Sequence, residues 1–107
     1  MSLAEDNMEN KIKILTDKLD CDEEQLEMLQ EEIDRVVFEH YHLSEHCKEY
    51  SKRKNQNEDY FKSQKLDLDN LTKHWKELKK ERYLLMESID ITKCKIGVAE
   101  FEAEMDM

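Results

Sequence analysis

Residues 51–59 read "SKRKNQNED", and they decide whether this chain forms one rod or two helices. Nine residues pass there without an apolar side chain, inside a 107-residue sequence whose apolar positions otherwise recur every three or four residues. Working backward from this stretch in alternating steps, the pattern meets Tyr50, Cys47, Leu43, His40, Val36, Ile33, Leu29, Leu26, Asp22, Leu19, Leu15 and Ile12. Working forward, it crosses Lys54 and Asn57 and resumes through Phe61, Gln64, Leu68, Leu71, Trp75, Leu78, Arg82, Leu85, Ile89, Thr92, Ile96, Ala99, Ala103 and Asp106. Twenty of these 28 positions are hydrophobic, whereas a phase without meaning would place about 11 there.

A seven-residue repeat sustained over this length is the pattern of a coiled coil, with Ile12, Ile33, Ile89 and Ile96 at position a and Leu15, Leu29, Leu43, Leu71, Leu78 and Leu85 at position d. The phase crosses residues 51–59 without an inserted or deleted residue, which a loop has no reason to respect. Neither glycine nor proline is present there to turn the chain. The sequence therefore predicts an all-α fold: one long continuous helix of about 160 Å, paired in a parallel two-stranded coiled coil. The hydrophobic register positions from Ile12 to Ile96, together with His40, form the expected interface of a parallel homodimer.

Flanking charges point the same way. Lys18 would meet Glu23, Arg53 would meet Glu58 and Lys95 would meet Glu100 across a parallel pair, whereas a centre-aligned antiparallel pair brings Lys18 to Lys95 and Glu32 to Glu81. The alternative is a folded-back or antiparallel helical bundle that reverses at residues 51–59. Charge blocks favour it: residues 1–34 carry 3 basic and 12 acidic groups, which a parallel partner would stack on themselves. The predicted organisation is an N-terminal flank over residues 1–11, whose opening "MSL" reads as vector-derived, followed by a continuous heptad segment over residues 12–106 cut from a longer scaffold.

Composition narrows the function. Charged residues make up 41% of the chain, hydrophobic ones 38%, with no proline and only Gly97 as glycine, a bias toward long helices. The net charge of −10 opposes a general grip on nucleic acid or anionic lipid. "KHWKELKKER", residues 73–82, is locally basic, yet its alternating signs read as a solvated helical face. No apolar run has the length to insert into a membrane. Cys21, Cys47 and Cys94 are odd in number and widely spaced, which suits free thiols and places the protein in the cytoplasm, with the nucleus as the other reducing compartment.

The segment "FEHYHLSEHCKEY", residues 38–50, gathers His40, His42, His46 and Cys47. His42 and His46 share a helical face at a spacing that chelates zinc when further ligands arrive, with Glu39 and Glu49 nearby in projection. No second cluster, CxxC or HExxH accompanies them, so the expectation is no metal and no cofactor. His40 and Cys47 fall in the seam, where His40 makes a polar layer that helps fix the register and Cys47 is a small buried hydrophobe.

The departure from a simple zipper lies near the C-terminus. Leu84, Ile91, Val98 and Met105 occupy successive c positions, and Cys94 and Phe101 at f interleave with them, making a second stripe over residues 84–105 largely opposite the seam. A two-stranded coil leaves these exposed, and contiguous exposed apolar surface marks an interaction site. Val37, Phe38 and Tyr41 form a smaller outward cluster. With no phosphate loop and no nucleophile beside a base, the expected function is non-enzymatic. It is that of a coiled-coil dimerisation and protein-interaction segment, taking a further helical partner or assembling to higher order through the c/f face. A compact helical-bundle adaptor is the second reading, and a metal- or pH-responsive regulator the third.

Overall fold

The computed structural model describes residues 3–53 and 57–105, with side chains from Asn7 onward. The chain forms two long helices, α1 over Leu3–Ser51 and α2 over Glu58–Met105. This corrects the single continuous helix read from the unbroken phase: the helical ladder stops at Ser51 and restarts at Glu58. The register positions Lys54 and Asp106, the rest of the polar stretch at 55–56 and the first two residues of "MSL" lie outside the described residues. Two packing units are present, one of residues 29–81, the other of residues 1–28 with 82–107.

In the unit of residues 29–81, side-chain chemistry ends one helix and starts the next. At the end of α1 the Lys52 N–H donates to the Glu49 carbonyl at 3.2 Å and the Arg53 N–H to the Tyr50 carbonyl at 3.1 Å, tightening the last turn. Ser51 Oγ donates to the Lys48 carbonyl at 2.7 Å. Asn57 then caps α2, its Oδ1 accepting from the Asp59 N–H at 3.1 Å and the Tyr60 N–H at 3.2 Å, while its own carbonyl accepts from the Phe61 N–H at 3.0 Å. Glu58 and Asp59 place negative charge in the first turn, against the positive end of the helix dipole.

An aromatic knot holds the two ends together. Tyr50 Oη accepts the Asn57 N–H at 2.7 Å, and the Tyr50 ring lies 4.9 Å from Tyr60 and 6.1 Å from Phe61. Beyond it, Ile33, Val36 and Leu78 form a buried cluster against which Leu29, Leu71 and Trp75 pack. Full burial of such a side chain is worth roughly 1.5–3 kcal/mol, which is what offsets the cost of ordering the surrounding helix. Trp75 fills space at the expense of its indole N–H, which is buried without a partner, while Lys79 Nζ sits 3.9 Å above its ring.

The polar contacts of this unit rise along α1 as they fall along α2. Glu32 Oε1 lies 3.4 Å from His74 Nε2, His40 Nε2 lies 3.1 Å from Thr72 Oγ1, and His46 Nε2 lies 2.9 Å from the Tyr60 hydroxyl. Thr72 Oγ1 also lies 3.0 Å from the Leu68 carbonyl, to which it donates within its own helix. Glu32 therefore meets His74, seven residues before the Glu81 it faces in a centre-aligned antiparallel pair. The shift of one heptad replaces the expected carboxylate repulsion with a hydrogen-bonded pair.

The unit of residues 1–28 and 82–107 uses smaller side chains in its seam. Thr92 and Ala99 are each 1% exposed, beside buried Ile89. Thr92 Oγ1 donates to the Ser88 carbonyl at 2.9 Å, which satisfies its hydroxyl. Ser88 Oγ in turn donates to Asp22 Oδ2 at 3.2 Å, giving the one carboxylate at a described seam position a partner. Lys93 Nζ lies 3.9 Å from Glu23 Oε1 on the solvated edge. Among the described seam positions of the whole chain, every side chain is at least partly shielded except that of Asn57, whose position at the helix start explains its exposure.

Candidate protein-interaction face

Between residues 84 and 105, α2 carries apolar side chains on two sides, interrupted on the outer side by Glu87. Leu85, Ile89, Thr92, Ile96, Ala99 and Ala103 point into the seam and are shielded to varying degrees. The c and f residues point away: Leu84, Ile91, Cys94, Val98, Phe101 and Met105 are all exposed, Ile91 by 50%, Val98 by 56% and Phe101 by 62%. At 1.5 Å per residue this stripe runs about 32 Å along the helix, six turns.

Its central part is the floor of a shallow groove of about 640 Å³, lined by Lys11 and Leu15 of α1 and by Asp90, Ile91, Cys94, Lys95 and Val98 of α2. Leu15, part-buried at a seam position, also lines the groove. The sequence reading placed Leu15 in the seam alone, gave Lys95 only a flanking pairing with Glu100, and assigned no role to Lys11 or Asp90. Lys11 and Lys95 both flank the seam at g, but nothing in a single-helix register says that they border one groove. The seven-residue offset between the helices carries that information. Gly97 lies on the exposed margin, where an added methyl would meet nothing within 4 Å.

The expected interface residues are all at least partly shielded. Ile33, Val36, Cys47, Tyr50, Leu78 and Ile89 are buried, and Ile12, Leu15, Leu19, Leu26, Leu29, His40, Leu43, Phe61, Leu68, Leu71, Trp75, Leu85 and Ile96 are part-buried. The histidines diverge: His40 turns to Thr72, His46 to Tyr60, and exposed His42 lies 4.2 Å from the Phe38 ring. Among the described residues no three His, Cys, Asp or Glu side chains converge to hold a metal ion. Val37, Phe38 and Tyr41 are exposed, Tyr41 lying 5.5 Å from His42 and set edge-on to it.

Electrostatics on the other unit are local. Arg35 bridges Glu32 and Glu39, the second at 2.6 Å. The Arg35 hydrogen bond, reinforced by His74, holds the Glu32 carboxyl below its ordinary value of 4.5, and the same Glu32 bond raises the Arg35 guanidinium. No described helix is long and apolar enough to cross a membrane. No family model, curated protein or solved structure matches the chain.

Proposed function

We propose that the protein is a non-enzymatic interaction module of a larger scaffold, an antiparallel helical hairpin whose seam holds the fold and whose face from Leu84 to Met105 docks a helical partner. The observation that carries this reading is the groove between Leu15 and the row of Ile91, Cys94 and Val98: an apolar floor left open beside a seam that is already filled. An amphipathic helix lays its apolar side into a surface of this kind, reading it at three- and four-residue intervals. The antiparallel arrangement is supported by the pairing of Glu32 with His74 and of His46 with Tyr60. A parallel homodimer would draw on the same seam residues, which in the hairpin are spent within one chain.

The test is fluorescence anisotropy of labelled amphipathic helical peptides titrated with the full chain and with an Ile91→Glu, Val98→Glu variant. Saturable binding to the parent and its loss in a variant of unchanged helicity is the expected result. Peptide binding that ignores the double substitution would refute the assignment of this face.

A further inference from the structure

We infer that the helix this groove accepts is a basic amphipathic one, its apolar row seated on Leu15, Ile91 and Val98 and its lysines or arginines directed to carboxylates along the stripe's margins. The inference rests on the docking reading above and adds the partner's charge.

The unit that contains the groove is where the chain's acidity is concentrated. Its described residues, 7–28 and 82–105, carry 6 basic and 12 acidic side chains, whereas those of the other unit carry 10 and 12. Helical projection puts Asp90 and Glu104 on one margin of the stripe, Glu102 on the other and Glu87 in the f row of the stripe itself, above Cys94 and Phe101, and all four are exposed. Among the described residues none of these four has a hydrogen bond or ion pair within the chain, in contrast to Glu23, which Lys93 approaches. Lys11 and Lys95 stand at the groove itself, beside Asp90. They exclude a partner whose cations fall at the middle of its apolar row and admit one whose cations lie toward the two ends, where the carboxylates are. A second copy of this chain would bring one acidic face against another, and an acidic helix would meet the same repulsion.

The experiment uses the full chain and three labelled 22-residue peptides: one with a Leu/Ile face and Lys/Arg margins, one with the same face and Glu margins, and a scrambled version of the first without a continuous face. The basic amphipathic peptide should bind at least about tenfold tighter than either other, and lose roughly that factor between 50 and 500 mM NaCl. Ile91→Gln with Val98→Gln should abolish its binding. Neutralising the carboxylates on the margins and in the f row by Glu87→Gln, Asp90→Asn, Glu102→Gln and Glu104→Gln should weaken it about tenfold, with helicity by circular dichroism unchanged. Equal binding of the acidic-margined peptide would overturn the charge assignment and leave the docking face standing. Equal binding of the scrambled peptide would overturn it as well, reducing the effect to bulk charge. If no peptide binds and sedimentation shows dimers that the Ile91→Gln, Val98→Gln variant abolishes, the occupant is a second copy. If no peptide binds and the chain stays monomeric, both the inference and the docking reading fall.

Discussion

The hydroxyl of Tyr50 accepts the backbone N–H of Asn57 at 2.7 Å, so the last seam residue of α1 grips the residue that caps α2. Reversal is thus written in one phenol and one amide. Tyr50→Phe keeps the ring contacts with Tyr60 and Phe61 and removes only the acceptor, a loss of about 1 kcal/mol. Asn57→Ala removes the cap and is expected to cost about the same. Because both changes loosen one small structure, urea denaturation of the double variant should show less than the summed loss.

Seam and face should respond differently to the same chemistry. Leu78 is buried in the cluster with Ile33 and Val36, and Leu78→Glu places an unpaired charge there, with an expected loss of about 3 kcal/mol or more. Ile91→Glu with Val98→Glu alters exposed positions, and each change is expected to stay within about 0.5 kcal/mol. Thermal melts of the two variants make the comparison. A face variant as unstable as Leu78→Glu would mean that residues 84–105 are a second core.

Gly97 sits exposed within α2, and a methyl there meets nothing within 4 Å. Alanine in a helix interior is favoured over glycine by roughly 0.5–1 kcal/mol. Gly97→Ala should therefore raise the melting temperature without any new packing contact.

The Glu32 carboxyl is held below 4.5 by its hydrogen bonds with Arg35 and His74. A group whose pKa is lower in the folded than in the unfolded chain adds stability above its unfolded value and loses it as pH falls through the folded one. Stability measured from neutral pH down through the acid range should therefore fall less in Glu32→Gln than in the parent, with the two curves converging at the lowest pH. Parallel curves throughout would show that Glu32 makes no such contribution.

Orientation can be measured on one chain. With Cys21→Ser, Cys47→Ala and Cys94→Ser as background, spin labels at Glu32→Cys and His74→Cys should lie within roughly 20 Å in a hairpin, given the usual 8–10 Å between packed helix axes. The same 42-residue separation along one straight helix spans about 63 Å. A large excess of unlabelled protein removes any contribution between chains, and a long distance under dilution would rule out the hairpin.

The lateral organisation of both helices was legible in the sequence because burial has a period. Val36 and Leu78 turned inward, and Ile91 and Val98 outward, as helical phase alone requires. The reversal was legible only as the second reading, from the nine polar residues at 51–59 and the charge blocks, since the usual marks of a turn are glycine and proline and that stretch has neither. Asn57 followed by Glu58 and Asp59 is nevertheless a helix-start pattern, masked by its coincidence with a seam position. The heptad offset that sets Glu32 against His74 depends on where the reversal falls, so no reading of one helix could supply it. The groove beside Leu15 was hidden for the same reason, although Ile91, Cys94 and Val98 of its lining were visible as the c/f stripe.

The unbroken seven-residue phase across the reversal has a topological consequence. A chain opened between Ser51 and Glu58 offers on each arm the same rows of side chains that a second opened chain requires. Exchange of arms would restore every seam contact and forfeit only those of the reversal itself, the Tyr50 grip and the Asn57 cap. Self-pairing would then be favoured through effective concentration, which is in the millimolar range for a short connection. The connection between Ser51 and Glu58 would then act less as a spacer than as a selector between two ways of satisfying one seam.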